Sequence, residues 1–204
     1  MGRPETDWVR QAAMTGLGNG LQLAHHDEEA LSVREAELAM LLRVGASEET
    51  MLIVQGNLAN TYQLLRRDEE ALHLRRDVYS RIVKLKGEEH EDTLREAICY
   101  ASNLIDTQRH AEAKSLMRKT VPKARRVFGE THEHTLTMRT NYARALHTDP
   151  DATLDDLCEA METLEVLERT AQRILGGPHP LTVQIELSLQ DTRAARAALV
   201  RANS

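Results

Sequence analysis

The segment Leu17 to Leu31, LGNGLQLAHHDEEAL, returns 41 residues later as Leu58 to Leu72, LANTYQLLRRDEEAL, with the same apolar skeleton. A repeat of this length restricts the fold more than composition does, because a unit this small cannot bury its apolar face alone and must stack on its neighbours. The register continues through Tyr100-Ala101 and Tyr142-Ala143, 42 residues apart, and Glu70-Ala71 returns as Glu112-Ala113 at the same interval.

A second marker keeps the same step. Gly87-Glu88-Glu89-His90-Glu91-Asp92-Thr93-Leu94 is followed 42 residues on by Gly129-Glu130-Thr131-His132-Glu133-His134-Thr135-Leu136. It recurs as Gly176-Gly177-Pro178-His179-Pro180-Leu181-Thr182-Val183, now 47 residues later, so about five residues have been inserted. The insertion is assigned to His147–Thr153, HTDPDAT, which carries a proline and capping residues where other units have the short turns Arg67-Asp68 and Arg109-His110. The first copy is degenerate: Gly45 keeps its place and Glu48 stands where the histidine would fall.

The apolar series Leu58, Tyr62, Leu65 and Leu72, Val78, Ile82, Leu85 have helical spacing. They predict helices over 6–24, 28–43, 49–65, 69–86, 91–107, 111–127, 133–147, 152–175 and 181–199, paired as antiparallel hairpins. Gly18, Ala59, Ala101 and Ala143 hold one small-residue position, which is expected to let paired helix axes approach closely. Asp27 and Asp68 are expected to cap the second helix of their units. Gly87 and Gly129 suit helix ends that need a left-handed backbone.

Neither composition nor charge divides the chain, so residues 1–204 are read as a single domain. Its 26 basic and 32 acidic side chains leave a formal charge of -6, interspersed along helices as a mixed-sign, soluble surface. One Phe, one Trp and four Tyr, with no basic footprint, argue against nucleic-acid binding; the local pair Arg125-Arg126 does not alter that. The opening MGRPETDWVR has no apolar signal core, and the apolar runs fall far short of the roughly 20 residues that span a bilayer. Membrane insertion is not expected, and the two cysteines, Cys99 and Cys158, lack a CxxC partner. This usage fits a reducing interior, and the chain is read as cytoplasmic.

With these markers in place, the unit resembles a tetratricopeptide repeat, and its 42-residue period with G-x-x-H-x-x-T-L resembles the kinesin light chain type. The residues carrying the resemblance are Gly87, His90, Thr93 and Leu94, then Gly129, His132, Thr135 and Leu136, then Gly176, His179, Pro180 and Thr182. Leu58, Ala59, Tyr62 and Ala71 match the general hairpin pattern, and the resemblance covers residues 12 to 190. It implies an all-α, right-handed superhelical solenoid of antiparallel helix pairs, about four repeats plus a terminal helix. Its first helices would line a concave groove that receives a peptide or a partner domain. It does not imply motor binding.

In that group, asparagines on the first helices contact the main chain of an extended peptide. The matching positions are Asn57, Cys99 and Asn141, with Gly16 in the first unit, so two of four depart from amide chemistry. A side-chain amide offers both donors and an acceptor and satisfies a backbone without demanding a sequence. Asn57 and Asn141 are therefore candidate peptide-binding residues, with Asn60, Gln63, Arg139 and Arg144 on the same face; the plain alternatives are bonds within a hairpin, exposure to water and, for Arg144, a surface salt bridge.

Nine histidines invite a metal or acid-base reading, notably His25-His26-Asp27-Glu28-Glu29 and His132-Glu133-His134, yet neither forms HExxH. The repeat accounts for His90, His132 and His179 as packing at its caps, and His25-His26 reads as a solvated turn. Cys99 and Cys158 read as packing residues, and Gly176-Gly177-Pro178 lacks the strand and Lys-Ser/Thr ending of a phosphate loop. The reading is a non-catalytic protein-binding scaffold with no metal and no cofactor, whose partner is a protein or extended peptide. The alternative is a structural module that self-associates through its terminal helix, exposing Leu187, Leu189 and Leu199. A cryptic enzyme or small-ligand regulator is the third class.

Overall fold

In the computed structural model, residues 4–202 are described, which leaves the first three residues of the opening segment outside the described residues. They form α1 (Pro4–Leu23), α2 (Asp27–Val44), α3 (Glu48–Leu64), α4 (Asp68–Lys86), α5 (Glu91–Asp106), α6 (His110–Phe128), α7 (Glu133–His147), α8 (Leu154–Ile174) and α9 (Pro180–Ala202). Each begins within two residues of its expected start. The fold class is the expected all-α solenoid of paired antiparallel helices, with four pairs and a terminal helix among the described residues. The chain divides into two compact units, residues 1–85 and 86–204.

In the first unit, α1 packs on α2 and α2 on α3. Met40, Leu41 and Val54 are buried with Met14, Leu38 and Met51 against them, and Leu52, Val78 and Ile82 form a second cluster with Leu74. Leu85, expected to continue the buried series, is 45% exposed. In the second unit each helix packs on the next, and the first helices α5, α7 and α9 also touch in sequence. Its core joins Leu136, Ala143 and Leu146 of α7 to Leu164 and Leu167 of α8 and to Leu181, Ile185 and Leu189 of α9. Leu189 was expected on the exposed face of the terminal helix but is 1% exposed, whereas Leu187 is 55% exposed and Leu199 half-buried. The helical period separates positions 187 and 189 onto different faces, and α8 covers the second.

Within three of the hairpins the first helix ends in the same way. His25, Arg66 and Gln108 adopt left-handed backbone, at φ 60°, 59° and 59°. Their N–H groups donate to Gln22, Gln63 and Ile105, and the next N–H groups donate to Leu21, Tyr62 and Leu104, the paired bonds of a Schellman motif without its usual glycine. The turn therefore repeats as backbone geometry where the sequence shows only a change of side chains. Between hairpins, Gly45, Gly87, Gly129 and Gly176 take a positive φ; Gly45 is left-handed at ψ 43°, whereas Gly129, expected to be so, has an extended ψ of 161° that only glycine adopts readily.

The second helix then starts with a basic side chain, arginine or histidine, set beside an acid three residues on. Arg67 donates to Glu70 from Nε at 2.6 Å, Arg109 to Glu112 from Nε at 2.6 Å, and His26 lies 3.5 Å from Glu29. The Arg67 bond holds the Glu70 carboxyl below the usual carboxylate range. Asp27 and Asp68 are consequently not caps: each is the first residue of its helix, where a carboxylate meets the positive end of the helix dipole. In the fourth hairpin a capping box replaces the ion pair, with Thr153 and Asp156 bonding each other's backbone N–H. The five inserted residues are distributed. The turn at 148–153 is three residues longer than the turn at 107–109, α8 is two longer than α6, the turn at 175–179 is one longer than that at 129–132, and α7 is one shorter than α5.

Candidate functional site

The recurring histidine is a helix cap. Nδ1 of His90 accepts from the Asp92 N–H at 3.1 Å, Nδ1 of His132 from His134 at 3.1 Å, and Nδ1 of His179 from Leu181 at 3.2 Å. An accepting Nδ1 places the ring proton of the neutral tautomer on Nε2. Thr93 secures the glycine turn before it by donating to the Gly87 carbonyl at 2.7 Å. Phe128 stacks on His132 at 5.0 Å between ring centroids. Burial, with His132 nearby, pushes the His134 imidazole below its ordinary pKa. Among the described residues, no group of three or more His, Cys, Asp or Glu is arranged to hold a metal ion. Nor is any described helix long and apolar enough to cross a membrane.

The candidate binding residues fall into different surroundings. In the first unit Asn57 and Gln63 are half-buried on α3. Asn60 is exposed, and its Oδ1 accepts from Nη2 of Arg75, a side chain on α4 that is 1% exposed. One repeat earlier, Asn19 Oδ1 accepts from Arg34 Nη2 at 2.5 Å, and Arg34 is fully buried. Gln22 of α1 joins the same group, accepting from Arg34 at 3.3 Å while donating to Thr61 of α3 at 2.9 Å.

In the second unit, Asn141 is 3% exposed on α7, and its Nδ2 donates to the Ile98 carbonyl of α5 at 3.3 Å. Arg144, one turn on, donates to Asn141 Oδ1 at 3.4 Å and to Asp106 Oδ1 of α5 at 3.5 Å. These two residues thus share the face of α7 turned to the preceding first helix. Arg139 does not. It points to the side of α7 facing α6 and α8, where Nη1 donates to Glu130 at 3.0 Å and burial, with Arg125 beside it, lowers its pKa. Sequence reasoning missed Asp106, whose position at the end of α5 becomes relevant only when α7 is laid beside it.

Antiparallel helix pairs repeated at this interval, histidine-capped and glycine-terminated, define a class of helical repeat protein. The Tetratricopeptide repeat family pattern matches residues 52–92 and 101–134. A search of curated proteins finds no match. Among solved structures, the chain is similar to the nearly identical TPR-like repeats of a candidate kinesin light chain from Podosopora anserina. A substituted form aligns at TM-score 0.77 and 22% identity, covering 95% of this chain and 90% of that one. A second structure of those repeats aligns at TM-score 0.75 and 21% identity over 100% of this chain and 92% of that one. BtubC (BKLC) from P. vanneervenii aligns at TM-score 0.62 and 13% identity, covering 91% and 79%. The chain thus has a tetratricopeptide-like repeat fold and is similar to kinesin light chain repeats.

Proposed function

We propose that this chain is a non-catalytic scaffold that holds a peptide segment or partner domain against its first helices. The observation that carries the reading is the polar row on α5 and α7: the Asp106 carboxylate, the Asn141 amide and the Arg144 guanidinium, side by side across two helices. Asn141 is the internal member, fixed to Ile98. Arg144 is the adaptable one, because its bonds of 3.4 and 3.5 Å lie at the limit of hydrogen bonding and a guanidinium carries five N–H donors. A partner carbonyl or carboxylate can take up that capacity without dismantling the hairpin, and a preformed surface lowers the ordering cost of capturing a flexible segment. Asn57, Asn60 and Gln63 extend the proposal on α3.

A peptide-display selection followed by calorimetric titration tests it. The best peptide is expected to lose at least tenfold in affinity for Arg144→Ala in the second unit or for Asn57→Ala in the first. Unchanged affinity in both variants would remove the first helices from the proposal. Cytoplasmic placement belongs to the same reading, supported by Cys99 and Cys158, neither of which is in a disulfide; a fluorescent fusion found in a secretory compartment would overturn it. A second reading, self-association through α9, draws on the exposed Val183 and Leu187. Sedimentation mass that rises with concentration, and stops rising in Leu187→Glu, would favour it.

A further inference from the structure

We propose that the depression between α6, α7 and α8 is a second binding surface, and that it takes an acidic segment of a protein partner. The depression has a volume of about 350 Å³ and lies on the side of α7 away from the Asn141–Asp106 contact. Arg118 and Arg125 of α6 and Arg139 of α7 line it, with Tyr142 and Glu159.

Its charges do not cancel. Glu130 serves two guanidiniums at once, Arg125 Nε at 2.8 Å and Arg139 Nη1 at 3.0 Å. Arg118 has a phenol in place of a carboxylate: its Nε donates to Tyr142 Oη at 2.9 Å, and the Tyr142 hydroxyl donates to Glu159 at 2.8 Å. Asp156, the next acid along α8, is committed to its capping box. Three cations thus face two carboxylates in a chain whose formal charge is -6.

The fold does not require this arrangement. The repeat positions equivalent to Arg139 are Met14, Gln55 and Ala97, which build the same helix without a cation. The cations also specify an extended segment: Arg118 and Arg125 stand on α6 and Arg139 on α7, so successive acidic side chains of one peptide can match guanidiniums on two helices where a single small anion does not.

Fluorescein-labelled hexaglutamate peptide, titrated by anisotropy with hexaglutamine as control, tests this. Hexaglutamate is expected to bind and hexaglutamine not to. Arg139→Gln is expected to weaken binding about tenfold or more, and Glu130→Gln to strengthen it severalfold by releasing both guanidiniums. Because Arg139 is half-buried, Arg125→Gln, at a side chain 44% exposed, provides a second loss that packing does not explain. The loss on Arg139→Gln is expected to persist in an Arg144→Ala background. Equal binding of the two peptides, indifference to Arg125→Gln and Arg139→Gln, or a loss confined to Arg144→Ala would each overturn the proposal.

Discussion

The two units solve one packing position differently. Arg34 and Arg75 occupy it in the first unit, and Met117 and Leu164 occupy it in the second; all four are buried. What the helix pair needs there is volume, which an arginine stem supplies as well as methionine does. A buried guanidinium must also be satisfied, and the first unit spends its first-helix residues on that: Asn19 binds Arg34 and Asn60 binds Arg75. The second unit carries Ser102 and Arg144 at those first-helix positions, and with no guanidinium beneath it Arg144 turns to Asp106. The internal anchor of one unit becomes the outward donor of the other.

The first hairpin goes furthest. Arg34 and Glu37 are both fully buried, 3.6 Å apart, with Thr15 donating to Glu37. Arg34 Nε and Nη1 and Glu37 Oε2 have no hydrogen-bond partner, and burial lowers the Arg34 pKa against the opposing pull of Glu37. The largest expected effect follows: Glu37→Ala strands a buried cation and is expected to cost about 3–5 kcal/mol in urea unfolding, whereas Arg34→Met with Glu37→Leu, copying the second unit, is expected to leave stability unchanged or raised. If the double variant is as unstable as the single one, burial of the pair is not what separates the two units.

A smaller test uses Gly18, expected from sequence to let helix axes approach. Its empty side is filled by the Arg34 guanidinium, since a Cβ there would meet Cζ at 2.8 Å. Gly18→Ala is expected to cost about 1–3 kcal/mol, and to cost little once Arg34 is Met. At the cap of α7, His132→Ala removes one acceptor and the Phe128 stack, for a loss of about 1 kcal/mol by thermal melting. The left-handed turn is tested in the opposite direction: Gln108→Gly relieves backbone strain and is expected to stabilise by up to about 1 kcal/mol, an expectation defeated by any loss.

Acid should distinguish the units most subtly. His134 and His147 both belong to the second, and burial depresses both; for His147, Arg144 and His110 add to the depression while Asp191 opposes it. Their neutral forms are the folded ones, so this contribution is complete above the unfolded histidine pKa of about 6.5 and is lost as pH falls through the lower folded values. Melting temperature is expected to fall below about pH 6.5, with a shallower slope in His147→Gln. An identical slope in that variant would place the effect elsewhere.

Helix boundaries were legible because they rest on local chemistry. Apolar residues one turn apart, Gly87 and Gly129 at the helix ends, and His90 and His132 at the starts all act within a few residues of themselves. The same reading could not separate Arg139 from Arg144, or Leu187 from Leu189, because it ranked residue types without knowing which neighbouring helix each faces. Nor could it tell Arg34 from a surface arginine: Arg34, Arg75, Arg139 and Arg144 look alike in a charged helix.

By itself, then, the sequence determined the repeat interval, the paired helices and the side chains that start and stop them, since hydrogen bonds of caps and turns close over short stretches of chain. The tertiary structure decided which polar groups are spent inside and which face outward. That outcome depends on desolvation and on partners arriving from other helices, such as Asn60 over Arg75 or Asp106 beside Arg144, and packing alone brings those partners within reach.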